Sequence, residues 1–117
     1  MSESPRWVRR WFRGAAIYGV LALLPTYAVN RTLAEHAFTG TALAFQIVFW
    51  IVGGAPARFR PLMLAGVAEK LAFGVPALWF AATGVAPGIV ALFAAIDLLL
   101  GAGFLLAWRA TPASRGS

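Results

Sequence analysis

Residues 88–108 read GIVALFAAIDLLLGAGFLLAW, an apolar run in which Asp97 is the only charged residue. A helix of about 20 mainly apolar residues crosses the ~30 Å hydrocarbon core of a membrane, so this run predicts a transmembrane helix. Three further runs predict the same, although the first is short: residues 14–29, 37–54 and 61–82. The connections between them are short and contain glycine and proline, which favours antiparallel neighbours. We expect an all-α four-helix transmembrane bundle of up-down-up-down topology, a single domain over residues 1–117 without an internal sequence repeat.

The composition supports this fold class. Of the 117 residues, 61% are hydrophobic and 12% are charged, and the mean hydropathy is +0.77. Soluble domains carry about 25% charged residues, so an ordinary soluble protein is excluded. The chain has no cysteine and one histidine, which excludes disulfides, thiol chemistry and a transition-metal site. We expect neither a metal nor an enzymatic activity.

The positions of the arginines predict the orientation in the membrane. The net charge of +6 does not indicate nucleic-acid binding, because the arginines flank the apolar runs. Lys and Arg accumulate on the cytoplasmic side, and one side of the predicted bundle carries eight arginines, against Arg31 alone on the other: Arg6, Arg9, Arg10, Arg13, Arg58, Arg60, Arg109 and Arg115. We therefore expect a multi-pass protein of a bacterial inner membrane, in contact with lipid, with both termini cytoplasmic.

The N-terminal segment has two interpretations. Residues 9–12, RRWF, resemble a twin-arginine signal. Removal of the first span would invert the charge balance of the flanks, so we expect the segment to be retained. Its arginines and tryptophans then predict a stretch that lies at the anionic inner leaflet.

Four polar residues lie inside the predicted spans. Glu69, Asp97 and Gln46 are on three different helices at a similar depth, and Lys70 follows Glu69. Ionisable groups in a membrane normally face the bundle interior, find partners and often mark a functional site. Small residues flank both carboxylates at helical spacing, so both are expected to face inward. Lys70 lies about 100° around the helix from Glu69, which predicts that the two do not pair well within the helix. Its side chain is expected either to snorkel towards the cytoplasmic end or to reach another helix, where it could act as the counter-charge of the polar centre.

This polar centre has a functional and a structural interpretation. Its residues could line a cavity that binds a proton, a lipid headgroup or a quinone-like ring, with one carboxyl protonated near neutral pH. The same residues could instead only bridge helices, as polar side chains do in membrane bundles. The function expected from the sequence is binding of a hydrophobic ligand or a membrane partner. The alternatives are a proton-coupled transporter that uses Glu69 and Asp97, and a purely structural membrane subunit.

Two polar residues precede the second span, on the side opposite the eight arginines. Thr32 and Glu35 have the spacing of a capping box, so Glu35 is expected to cap a helix. His36 is about 15 Å along the helix from Gln46 and cannot belong to the polar centre. Glu35 and His36 are therefore secondary candidates on the outer face.

Several stretches resemble small bacterial four-helix membrane proteins. They are residues 59–64 (FRPLML), 69–71 (EKL), 96–101 (IDLLLG), and 35–49 with Glu35, His36 and Gln46. These proteins are broadly similar to the DoxX-like superfamily of four-helix membrane proteins. Some DoxX-like proteins are associated with quinone-linked sulfur redox systems, so the resemblance implies a quinone or a redox partner. The absence of cysteine removes the thiol part of that analogy.

Two other comparisons are weaker. Small multidrug resistance exporters have a similar length but use a carboxylate in the first helix, and residues 14–29 contain none. Intramembrane isomerases of the sterol-isomerase type place His near the acidic residues, whereas His36 lies at the membrane edge. A homodimer remains open, because Ala15 and Gly19 form a small-xxx-small pair.

Overall fold

The structure is a computed structural model that describes residues 4–112. Its elements are all helical: α1 (Arg6–Leu23), α2 (Thr26–Val29), α3 (Leu33–Gly54), α4 (Arg60–Ala82) and α5 (Gly88–Ala110). Four helical stretches are long and apolar enough to cross a membrane, with α1 and the single turn α2 forming the first. The predicted all-α four-helix bundle is confirmed. Arg115, which contributed to the predicted orientation, lies outside the described residues.

The first span begins earlier than expected. We predicted a span from about residue 14, extended by a turn that includes Trp11 and Phe12, but α1 starts at Arg6 and runs without interruption into the span. Its buried residues recur at helical spacing on one face: Val8, Phe12, Ala15, Ala16 and Gly19. Residues 6–13 therefore belong to the same helix as the span and add Val8 and Phe12 to the core, while Arg9 and Arg10 are exposed on another side of the helix.

Local sequence explains where the helices begin and end. Pro25 ends α1, since proline has no N–H for the helix and clashes with the preceding turn. The Thr32 hydroxyl accepts from the Glu35 N–H while the Glu35 carboxylate accepts from the Thr32 N–H, so the predicted capping box is confirmed. Pro61 lies in the first turn of α4, where proline is favoured. Gly84, with φ +79°, forms the turn after α4.

The bundle consists of two antiparallel hairpins. The first hairpin is α1, α2 and α3, and the second is α4 and α5; α3 packs on α4 and α1 packs on α5. We call the end with Arg6, Gly54, Arg60 and Ala110 the arginine end. The main apolar core lies toward this end, where buried aromatic, aliphatic and small side chains of all four spans meet.

The same kind of arginine–tryptophan contact occurs in each hairpin at the arginine end. The Arg13 guanidinium lies 4.0 Å from the centre of the Trp50 ring, and its Nε donates to the Trp50 carbonyl at 3.1 Å. The Arg60 guanidinium lies 4.4 Å from the Trp108 ring, and its Nε donates to the Trp108 carbonyl at 3.0 Å. In each hairpin an arginine of the first helix thus binds a tryptophan ring and its carbonyl near the end of the second helix.

A second contact repeats at the same offsets. Gly19, six residues after Arg13, packs against Gln46, four residues before Trp50. Gly66, six residues after Arg60, packs against Phe104, four residues before Trp108. The sequence analysis found no repeat, yet the two hairpins share this arrangement of contacts.

These contacts also overturn one expectation about a dimer. Ala15 is 1% exposed, and a Cβ added to Gly19 would overlap Gln46. The small-xxx-small pair therefore joins α1 to α3 within one chain and is not available to a second copy.

Candidate functional site

A partly enclosed cavity of about 200 Å³ lies between the two hairpins. Every span contributes to its lining, and the lining combines aromatic and aliphatic walls with one polar region: Tyr18, Gly19, Ala22, Leu23, Thr26, Phe38, Ala42, Gln46, Glu69, Lys70, Phe73, Val90, Phe93 and Asp97. All four residues of the predicted polar centre are in this lining. The structure therefore brings Glu69, Asp97, Gln46 and Lys70 to one site.

Three phenylalanines of the apolar core pack together outside the lining of the cavity. The rings of Phe12 and Phe104 are stacked with centroids 4.2 Å apart, and the ring of Phe49 lies 4.8 Å from that of Phe104. All three are fully buried. They pack against Gly66, because a Cβ there would lie 3.0 Å from both Phe49 and Phe104. The polar region of the cavity is next to this aromatic cluster, with Lys70 Nζ 5.3 Å from the centre of the Phe49 ring.

Lys70 joins the two carboxylates. Its Nζ donates to Asp97 Oδ1 at 3.4 Å and lies 3.4 Å from Glu69 Oε1. The contact with Glu69 is electrostatic only, since this oxygen has no hydrogen bond of suitable geometry in the described residues. We expected Lys70 and Glu69 not to pair well within the helix; they form an ion pair without a hydrogen bond, and Lys70 reaches Asp97 on the neighbouring helix. The lysine side chain is long and flexible, so its Nζ reaches the Glu69 carboxylate although the two Cβ atoms point about 100° apart around the helix.

The inward orientation of both carboxylates is confirmed. The side chains of Glu69 and Asp97 are 12% and 14% exposed, and the Lys70 side chain is 3% exposed. Close packing of α4 on α5 holds these three side chains inside the bundle. Gly101 allows this packing, because a Cβ added to it would lie 2.9 Å from Lys70 Cβ. The small residues beside the carboxylates thus have the role that the sequence predicts for them.

Gln46 lies in the same cavity but makes no hydrogen bond to the three charged groups. It is 2% exposed, and its Nε2 donates to the Ala42 carbonyl of its own helix at 2.7 Å. Its Oε1 is buried and accepts no hydrogen bond from the described residues. Gln46 therefore brings an unused acceptor to the site rather than a bridge between helices.

Tyr18 and Thr26 are lining residues that sequence reasoning missed. A tyrosine in the middle of an apolar run was the available signal for the first. Thr26 lies just after Pro25, where its hydroxyl donates to the Leu23 carbonyl at 2.7 Å and shares a 3.0 Å hydrogen bond with Thr39. The sequence did not identify Thr26 as a lining residue, because its position depends on the break between α1 and α2.

The secondary candidates lie outside the cavity. Glu35 is occupied by the capping box at the start of α3. His36 Nε2 lies 3.2 Å from the Asn30 carbonyl, and its ring is 5.3 Å from that of Tyr27. Neither lines the cavity. Among residues 4–112, no group of three or more His, Cys, Asp or Glu side chains could hold a metal ion.

Comparisons with known proteins give no relative. No family model matches the chain, no curated protein matches it, and no solved structure matches it. The chemistry of the site must therefore be inferred from its own residues.

Proposed function

We propose that this chain is a small multi-pass membrane protein that binds one hydrophobic molecule between its two hairpins. The polar head of the ligand contacts Glu69, Lys70 and Asp97, and its apolar part lies among the phenylalanines of the wall. The observation that carries this proposal is a cavity lined by all four spans, apolar on its walls and charged at one side. Ligand sites in proteins have this composition: mainly apolar walls with a few polar groups that fix the orientation.

Cavity size and hydrogen bonding support a ligand over a purely structural role. An apolar cavity of about 150 Å³ is large enough to bind a benzene ring, and this one measures about 200 Å³. Interhelical hydrogen bonds would use the acceptor of Gln46, yet its Oε1 has no partner among the described residues. A quinone ring and a lipid headgroup are both compatible with the site. The resemblance to DoxX-like proteins favours the quinone.

Native mass spectrometry tests the proposal directly. The protein is released from mild detergent as wild type, Glu69→Gln and Asp97→Asn, with Glu35→Gln as the matched control outside the cavity. We expect a discrete bound mass in wild type and in Glu35→Gln that is weaker or missing in the two cavity variants. If all four proteins carry the same random lipids, the carboxylates only connect helices, and the chain is a structural subunit.

We further propose that the protein belongs to a bacterial inner membrane, with the arginine end in the cytoplasm. This orientation follows the positive-inside rule, and Trp50 and Trp108 at that end are typical of a membrane interface. The chain has no cysteine, so single cysteines report topology cleanly. Arg58→Cys should resist membrane-impermeant maleimide in intact cells, and Val85→Cys, at a position 73% exposed, should react. The reverse labelling would overturn the orientation.

Proton-coupled transport is the second candidate. Two carboxylates of the second hairpin share one lysine at the cavity, which is an arrangement that takes up and releases a proton. In proteoliposomes with a pH-sensitive dye inside, a transporter would show substrate-dependent proton flux that Asp97→Asn abolishes. A binding protein would retain its ligand and show no flux.

Partners of the protein are also a proposal. Large apolar side chains are exposed on every span, among them Leu21, Ile47, Trp79 and Leu99, and membrane lipid is the partner that covers them. A second copy or another membrane protein would have to use these outer faces, since Ala15 and Gly19 are occupied within the chain. Cross-linking in membranes followed by mass determination distinguishes a homodimer from a monomer in lipid.

A further inference from the structure

The charges at the cavity do not balance. Lys70 supplies one positive charge, and Nζ lies 3.4 Å from one oxygen of each of two carboxylates, Glu69 and Asp97. Unbalanced charge in an apolar interior is strongly unfavourable. The cluster is therefore neutral only when it holds one more positive charge, which is either a proton or a group of the ligand.

The site also has buried hydrogen-bond acceptors that lack a donor. Gln46 Oε1 and Glu69 Oε1 are both buried and accept no hydrogen bond from the described residues. An ammonium group carries one positive charge and has three N–H donors and no acceptor, so it supplies the missing charge and adds no further acceptor to the site. We propose that the cavity binds a lipophilic primary amine in its ammonium form. This inference rests on the proposed function and names a head group for its ligand that differs from the quinone implied by the resemblance.

The walls of the cavity fit the remainder of such a molecule. Phe38 and Phe73 approach with ring centroids 5.8 Å apart, and Phe93 also lines the cavity. Aromatic faces attract organic cations and pack well against apolar groups. A neutral head group would leave the charge balance to a proton, and an anionic one would add a second uncompensated negative charge.

A proton is the natural competitor of the amine. From the first hairpin, Tyr18 on α1 and Gln46 on α3 face the cavity, and neither is charged at neutral pH. From the second hairpin, Glu69 and Lys70 on α4 and Asp97 on α5 face it. An ammonium that enters a protonated cluster replaces its proton. Binding near neutral pH should therefore release up to one proton per site and weaken as the pH falls.

The test compares three probes of similar size that differ in charge. Protein in nanodiscs is titrated calorimetrically at pH 7 with 2-phenylethylamine, 2-phenylethanol and 3-phenylpropionate. We expect the amine to bind at least about tenfold more tightly than the alcohol, because the alcohol lacks the charge that matches the buried charge of the site. We expect the acid not to bind. Repetition in two buffers with different heats of ionisation measures the protons released.

Binding of the neutral alcohol reports whether a variant is folded. Glu69→Gln and Asp97→Asn each remove the surplus negative charge, so the preference for the amine over the alcohol should disappear while binding of the alcohol persists. Glu35→Gln, outside the cavity, should behave as wild type.

Each contrary result has a distinct meaning. Equal binding of amine and alcohol, or a preference that survives Glu69→Gln and Asp97→Asn, overturns the ammonium inference while leaving the cavity as a ligand site. If none of the three probes binds, the ammonium inference fails. The mass spectrometry of co-purified molecules then decides whether the proposed function fails with it.

Discussion

Lys70 on α4 donates a hydrogen bond to Asp97 on α5 over 3.4 Å, inside a helix pair that a glycine brings into close contact. The lysine is 2% exposed. A buried charge pair contributes little net stability while intact, but loss of one partner leaves the other uncompensated. This pair is therefore a sensitive point for both stability and ligand binding.

Replacement of Lys70 by methionine should destabilise the fold strongly. It leaves two carboxylates without a counter-charge, and removal of one partner of a buried pair is destabilising by about 3–5 kcal/mol, less to the extent that the carboxylates take up protons. The double variant Lys70→Met with Asp97→Asn restores the wild-type charge and should be more stable than Lys70→Met alone. Thermal unfolding in detergent measures both. Additive losses in the double variant would show that Lys70 and Asp97 are not coupled.

Gly101→Ala should separate α4 from α5. Its Cβ would lie 2.9 Å from Lys70 Cβ, which is close to the backbone and cannot move freely. Overpacking of this kind is destabilising by about 1–3 kcal/mol. Gly14→Ala is the matched control, because an added Cβ there meets nothing within 4 Å, and alanine is the better helix former. A Gly101→Ala protein as stable as Gly14→Ala would contradict the close approach of the two helices.

Arg13→Lys and Arg60→Lys should have similar effects, although the residues lie in different hairpins. Lysine keeps the charge but loses the planar group that stacks on tryptophan while donating to its carbonyl. We expect each variant to lose about 1 kcal/mol, measured by thermal unfolding. Arg10→Lys, on the exposed face of α1, should lose nothing measurable. Clearly unequal losses for Arg13 and Arg60 would show that the two contacts are not equivalent.

Filling the cavity should block the ligand without harming the fold. Ala22 lines the cavity and is half-buried, so Ala22→Leu extends a side chain into open space. The bound mass in native mass spectrometry should fall by about tenfold or more, in line with the loss of the binding volume. Ala44→Leu, at an exposed position of α3, adds the same group outside and should leave binding unchanged. Retention of the ligand by Ala22→Leu would place its site elsewhere.

Much of the fold follows from the sequence, because twenty-residue apolar runs have few alternatives in a membrane. The capping box of Thr32 and Glu35 and the inward carboxylates were also readable from spacing. The start of α1 was not, because Arg9, Arg10 and Arg13 mask the buried stripe on the other face of the helix.

The candidate site was predictable in its members and not in its connections. Helical spacing and depth select Gln46, Glu69 and Asp97, but the position of Lys70 Nζ depends on several side-chain torsions that spacing does not fix. The repeated contacts of the hairpins were invisible for a different reason. They join residues far apart in sequence, and the paired positions share packing rather than identity, as Gln46 and Phe104 show.

The repeated contacts of the hairpins imply an approximate twofold rotation that exchanges α1 with α4 and α3 with α5. The two junctions between the hairpins, α3 on α4 and α5 on α1, are exchanged by the same rotation. Charge breaks this symmetry: every charged group that lines the cavity belongs to the second hairpin, whereas the first contributes Tyr18, Thr26 and Gln46 as its polar side chains. A ligand of the proposed kind would therefore meet two unlike surfaces, and we expect it to bind as a single copy in one orientation.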